Sequence, residues 1–274
     1  MKSICATMIY GLAATLFAGQ VVAAGLPERI ATRGGLILAV TPNYPPLEFR
    51  DPASNALTGF DVDLGEALAR KLGVKVDWQE TAFEQMIPAL GTGRVDAILS
   101  GMSDLASRHA AASFVDYLRN GPQFFAQASR TGEFSDMRAL CGRAVGASRR
   151  TSFPKEIAAW SEAHCGDKAI KFVGTEGSAD ARTQLKQGRI DAAVQGNETL
   201  SYVMAQEPNV YVTIGAPIGA QLTGIALSKD DAALQNAVAG ALDALIADGA
   251  YKALLDKWRL STNGIEKATI NAGQ

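Results

Sequence analysis

The chain has 274 residues, 47% of them hydrophobic and 20% charged, with 26 Lys and Arg against 28 Asp and Glu. That composition suits one large or two modest globular domains and excludes a disordered chain. The slightly acidic balance lacks the basic excess of a nucleic-acid binder, and two histidines in the whole chain exclude a His-rich metal site.

In chain order, the first feature is a leader. Lys2 precedes the apolar run "ICATMIYGLAATLFAGQVV", no charge occurs from Ser3 to Pro27, and "VVAAG" offers small residues for cleavage after Ala23 or Ala24. Residues 1–24 therefore read as a signal peptide, which makes the mature protein an exported one. Past it, β-rich runs alternate with helix-like stretches, the pattern of an α/β fold with mostly parallel sheets flanked by helices. "LILAV" (36–40) is a predicted strand. "GFDVDLGEALARKLG" (59–73) is a predicted helix, with acids at its start and Gly73 at its end. "VKVDWQ" is a strand, "AFEQMIPALGTG" a helix and "VDAILS" a strand. "DYLRNGPQFFAQAS" (116–129) carries the Asn120, Gly121, Pro122 punctuation of a crossover. Cys141 and Cys165, the pair left after leader removal, are predicted to form a disulfide in an oxidising compartment. "GAPIGAQLTG" (215–224) is a second crossover, residues 230–258 are helical with a break near Gly249, and the polar tail after Trp258 is expected to be loose.

An internal repeat organises this series. "ALGTGRVDAILSGMS" (89–103) and "QLKQGRIDAAVQGNE" (184–198) share Leu, Gly-Arg, a β-branched residue and Asp-Ala at an offset of 95 residues. Two copies so far apart imply two structural units, not a solenoid. Each delivers the carboxyl end of a strand to a loop, where open α/β sheets bind ligands, so a ligand would sit in a cleft between the units. The predicted division is lobe 1 over 25–119, lobe 2 over 120–215, completion of lobe 1 over 216–260, and a tail over 261–274.

The motifs "NYPPLEF" (43–49), "GFDVDL" (59–64), "MIPALGTGRVDAILSGMS" (86–103) with Arg108, "CGRAVG" (141–146), "LKQGRIDAA" (185–193) and "ADGAYKALLDKW" (247–258) occur in an order and spacing that resemble one family. They are similar to the extracellular solute-binding proteins of polar amino-acid ABC importers (family 3), over about residues 34–260. The resemblance implies a two-lobed periplasmic-binding-protein (Venus flytrap) fold, a small ligand in the cleft, and a membrane permease as partner. It implies no cofactor and no catalysis, and a monomer is expected.

The residues themselves point the same way. Arg108 offers a planar donor fork matched to a carboxylate. Gly101 allows close backbone approach, and the amides around Met102 together with the Ser103 hydroxyl complete an anion cradle. The resemblance assigns the ligand's α-carboxylate to Arg108; a surface ion pair between Arg108 and Asp104 is the structural alternative. Tyr44 and Phe83 fall where the family places walls around the ligand side chain, and flat rings suit that use, although core packing is their commoner fate. Thr151 and Ser152 would supply hydroxyl donors from the second lobe. Three positions depart from the family: Arg150 stands where Gly is usual, which can bring Arg149 or Arg150 to the cleft mouth, Gly196 stands where an Asp accepts the α-ammonium, and Thr41 stands where an Asp often serves cationic side chains. Asn197 and Glu198 are candidate substitutes for the missing Asp, with helix capping as their alternative role. The expected ligand is a neutral or aromatic amino acid or a derivative, with an organic acid lacking an amine as a further reading. A periplasmic cyclohexadienyl dehydratase on the same fold, with Glu198 as acid, is the enzymatic alternative, and both transport and sensing stay open as roles.

Overall fold

In the computed structural model, which describes residues 25–274, the alternating pattern resolves into two α/β lobes. The predicted leader lies outside the described residues. The first lobe is built on the strand Gly35–Val40. It pairs in parallel with Lys75–Glu80 on one side and Ala97–Ile98 on the other. The helix Phe60–Leu72 covers this sheet. Leu64, Leu68 and Leu72 recur every four residues, line one face and are buried, each stabilising the fold by roughly 1.5–3 kcal/mol. Asp61 and Asp63 occupy its first turn, and Gly73 ends it at φ 71°, a conformation that costs a residue with a β-carbon more than glycine.

The second lobe repeats the plan. Ala144–Ser148 pairs in parallel with Lys171–Thr175 and with Ala192–Gly196. The sequence repeat has a local cause. Gly93 and Gly188 both take positive φ at the end of a helix, Val95 and Ile190 both enter the core, and Asp96 and Asp191 each accept a hydrogen bond from the neighbouring strand, from the Ile37 and Ala144 amides at 2.8 and 2.9 Å. Each aspartate is also paired with an arginine, Arg33 in one lobe and Arg130 in the other. The Gly-Arg-x-Asp signature is thus a device for starting a strand, used once per lobe.

The sheets are mixed, not purely parallel. Ser113–Asn120 lies in the first sheet and runs directly on into Pro122–Gln127 of the second. Tyr211–Ile214 of the second sheet is followed by Gln221–Leu227, back in the first. Because these strands arrive from the other lobe without a helical crossover, they pair antiparallel with their neighbours. The helices Ala232–Ala247 and Ala250–Trp258, broken at Gly249, pack onto the first lobe.

The tail departs from expectation. Thr269–Ile270 adds an antiparallel edge strand to Ser113–Asn120, the Thr269 hydroxyl donates to Asp116, and the Gly273 amide donates to Asp104 at 2.7 Å. Buried acceptors more than 150 positions away hold a segment whose own composition reads as loose. The predicted disulfide Cys141–Cys165 is present and ties the start of Ala144–Ser148 to the end of the helix Phe153–Cys165.

Candidate functional site

Between the carboxyl ends of the two sheets lies a cavity of about 240 Å³. A three-stranded ribbon, Asn43–Tyr44, Glu48–Arg50 and Leu57–Thr58, presents Tyr44 to it. Gly101, at φ 55°, lies under the Tyr44 ring, and a β-carbon there would crowd that ring at 3.1 Å. The short turn Ala106–Arg108 carries Arg108 into the wall, with Phe83 beside it at 6.0 Å from guanidinium to ring centroid. From the second lobe come Ser148, Thr151 and Ser152, at the amino end of the helix Phe153–Cys165, whose dipole favours an anion there.

Arg108 is the organising charge. Its Nη1 donates to the Ser103 carbonyl at 2.6 Å, and no carboxylate among the described residues forms an ion pair with it. Asp104, the alternative partner suggested by its place in the chain, is occupied by His109 at 2.5 Å and by the Gly273 amide. Burial pushes the guanidinium's pKa down, and the charge of Asp104 only partly offsets that. A desolvated cation on the cavity wall, with no ion-pair partner among the described residues, is suited to a ligand carboxylate.

The surrounding donors are less free than the sequence implies. The Gly101 amide donates to Asp61 at 2.8 Å, the Ser103 hydroxyl to the Gln221 amide oxygen at 3.1 Å, and the Thr151 hydroxyl to the Ser148 carbonyl at 2.9 Å. Ser152 accepts a long contact from Gln221, which leaves its own O–H for a ligand. Gln221 also donates to Glu156 at 2.9 Å, so this one side chain of the returning strand touches both lobes. Two expected site residues lie elsewhere. Met102 is buried in the core, because the left-handed turn at Gly101 redirects the chain. Asn197 accepts from the Gly121 amide at 3.0 Å and returns a backbone bond to Gly121, so it fastens the crossover.

Opposite Arg108 in polarity is an acidic floor. Glu48, Asp61 and Glu198 are all buried. Ser100 donates to Glu48 at 2.9 Å, Tyr117 and Gly101 donate to Asp61, and Tyr44 donates to Glu198 at 3.0 Å while accepting from the Gly196 amide. Burial raises all three carboxyl pKa values: Glu198 to about 7, Asp61 to about 6, and Glu48 well above its usual range with the charge of Asp61 adding to the effect. A β-carbon at Gly196 would overlap the Glu198 carboxylate, so the absence of a side chain at 196 is what admits Glu198. Glu198 lies just behind the wall formed by Tyr44 and Asn120.

At the mouth, Arg150 pairs across the cleft with Glu84 at 2.8 Å and approaches Glu176 at 3.8 Å. Thr41 lines the cavity with its hydroxyl donated to the Thr81 carbonyl. Among the described residues no group of three or more His, Cys, Asp or Glu side chains has the arrangement of a metal site.

Known proteins share this architecture. The model of the bacterial extracellular solute-binding proteins, family 3, matches residues 36–261. The L-arginine-binding protein of Pseudomonas aeruginosa is 30% identical over 223 residues, 78% of this chain and 84% of that protein. Among solved structures, an ancestral arginine-binding protein bound to arginine aligns with TM-score 0.73 and 29% identity over 82% of this chain and 98% of that one. An ancestral amino acid-binding protein, a precursor of cyclohexadienyl dehydratase, aligns with TM-score 0.73 and 28% identity over 84% and 98%. The relatives that align over most of the chain are binding proteins, not enzymes. This two-lobed periplasmic protein belongs to the bacterial extracellular solute-binding proteins of family 3.

Proposed function

We propose that this protein is the receptor of an ABC importer for an α-amino acid with a basic side chain, which it captures in the interlobe cavity and hands to a membrane permease. The observation that carries the reading is Arg108: a half-buried guanidinium on the cavity wall with no acidic partner among the described residues. It takes the α-carboxylate, helped by the Ser152 hydroxyl and the helix end behind it. Tyr44 and Phe83 flank the side chain, and Glu198, in place of an acid at Gly196, takes the α-ammonium. A basic side chain is supported by relatives whose names give arginine as their ligand and by the carboxyls of Glu48, Glu84 and Glu176 on the cavity wall. Contacts from both lobes favour the closed form only to the extent that the ligand binds it better than the open one.

A neutral or aromatic amino acid is the second reading, favoured by Thr41, which places a hydroxyl already donated to Thr81 where a carboxylate would serve a cationic side chain. A thermal-shift screen of the mature protein decides between them, because a tight ligand raises the melting temperature by mass action. Arginine, lysine or histidine giving the largest rise supports the proposal. A larger rise with leucine, phenylalanine or glutamine overturns the basic assignment.

A further inference from the structure

We infer that the ligand's ammonium displaces a proton from the buried acid cluster beneath the cavity, so that capture of the amino acid and release of one proton at Glu198 are a single event. This deepens the reading above and rests on it.

The cluster's charges have no counter-ion. Among the described residues, Glu48, Asp61 and Glu198 form no ion pair with any Lys or Arg, although they come from three separate elements and feel one another's charge. Around Glu198, the ribbon contributes Tyr44 and Glu48, the helix Phe60–Leu72 contributes Asp61, and Ser113–Asn120 contributes Asn120, while Tyr117 of that strand donates to Asp61. Arg182 of the helix Ser178–Lys186 is held on the Gln195 amide oxygen at 3.0 Å and acts on Tyr44. Three carboxylates in one dry pocket cannot all be ionised without a cation, so the empty receptor keeps protons there. Burial and the charge of Asp61 both hold Glu48 in its protonated form.

Three oxygens here are buried without a hydrogen-bond partner among the described residues: Glu48 Oε2, on the carboxyl that stays protonated, and two acceptors, Asn120 Oδ1 on the cavity wall and Glu198 Oε2 behind it. The Asn120 side chain interacts with Glu198 and also lines the cavity, so it connects the ligand chamber to the acid. A primary ammonium has three N–H donors and a full charge. It satisfies both orphaned acceptors and supplies the missing cation, which makes ionised Glu198 the favoured form. The proton leaves to solvent and the ammonium replaces it, and net charge in the pocket is conserved. A carboxylate ligand without an amine brings no such replacement, so the cluster is also a filter for amino acids over plain organic acids.

The test is calorimetry with L-arginine, or with whichever standard amino acid gives the largest thermal shift, in buffer pairs of unlike ionisation enthalpy. The expected result is release of roughly one proton per ligand near pH 6, falling toward zero near pH 8, with affinity rising about tenfold across that interval. Glu198→Gln should abolish both effects. Wild-type binding with no buffer-dependent heat overturns the inference without requiring any variant to fold. Proton release that persists in Glu198→Gln overturns the assignment to Glu198. If release is absent while Arg108→Ala still loses affinity, the receptor reading survives alone. If no amino acid binds, both fall.

Discussion

The two ends of the cavity are built on opposite omissions. At one end Arg108 is a cation without an anion; at the other Glu48, Asp61 and Glu198 are acids without a cation. A buried ion pair inside the protein would satisfy both ends and leave no use for a ligand. Kept apart, the two unpaired charges match the two ends of an amino-acid zwitterion, and each costs the empty receptor stability that binding returns. The ends differ in how they bear that cost. Arginine cannot shed its charge near neutral pH, so Arg108 stays ionised and leans on the Ser103 carbonyl, whereas the carboxyls take up protons.

Breaking the arginine end gives the largest expected effect. Arg108→Ala should weaken amino-acid binding by at least about 2 kcal/mol, roughly 30-fold, because the ligand's carboxylate is left buried and unpaired. Calorimetry that finds unchanged affinity contradicts the assignment. Next comes the acid end, where Glu198→Gln should weaken binding near pH 8 by about tenfold. The same change should raise the melting temperature of the empty protein there by a few °C, on the order of the shift that ~1 kcal/mol produces in a chain of this size. A loss of stability would show that Glu198 is a structural acid.

The acid end also sets a pH trend. The folded state holds protons on Glu198, Asp61 and Asp116 up to about pH 6–7, where an unfolded chain has lost them. The native state therefore binds more protons than the unfolded state in this window, and stability falls as pH rises through it. The melting temperature of the empty protein should drop from pH ~5 to pH ~8, and bound amino acid should flatten the drop. A rise over that range contradicts the shifted carboxyls. The smallest effect belongs to the mouth. Arg150 and Glu84 are substantially exposed, so Arg150→Ala should change affinity by less than about 1 kcal/mol, and that difference should shrink further in high salt.

The two ends were unequally legible in the sequence. Arg108 stands out because one cation follows a small-residue strand end at a fixed spacing, and the repeat around Asp96 and Asp191 marks the two lobes because each copy is a local strand-starting device. The disulfide follows from cysteine count and compartment. The acid floor was only partly readable. Glu198 is visible as an acid near a missing one, but nothing local says that Gly196 clears space for it or that Tyr44 donates to it. Glu48 and Asp61 read as ordinary ribbon and helix residues, and their coupling exists only once the ribbon folds over the helix. The same holds for Gln221, which spans both lobes, and for the tail, whose order comes from Asp104 and Asp116. Met102 and Asn197 mislead because each neighbours a candidate site residue in sequence, while the left-handed turn at Gly101 sends Met102 to the core and hydrogen bonds with Gly121 hold Asn197 at the crossover.

The central claim is that Arg108 grips the ligand's carboxylate, and the most direct measurement pairs an amino acid with its carboxamide on the wild type and on Arg108→Ala. The wild type should prefer the acid by about 30-fold and the variant should bind both alike. Equal binding of acid and amide by the wild type would contradict that claim.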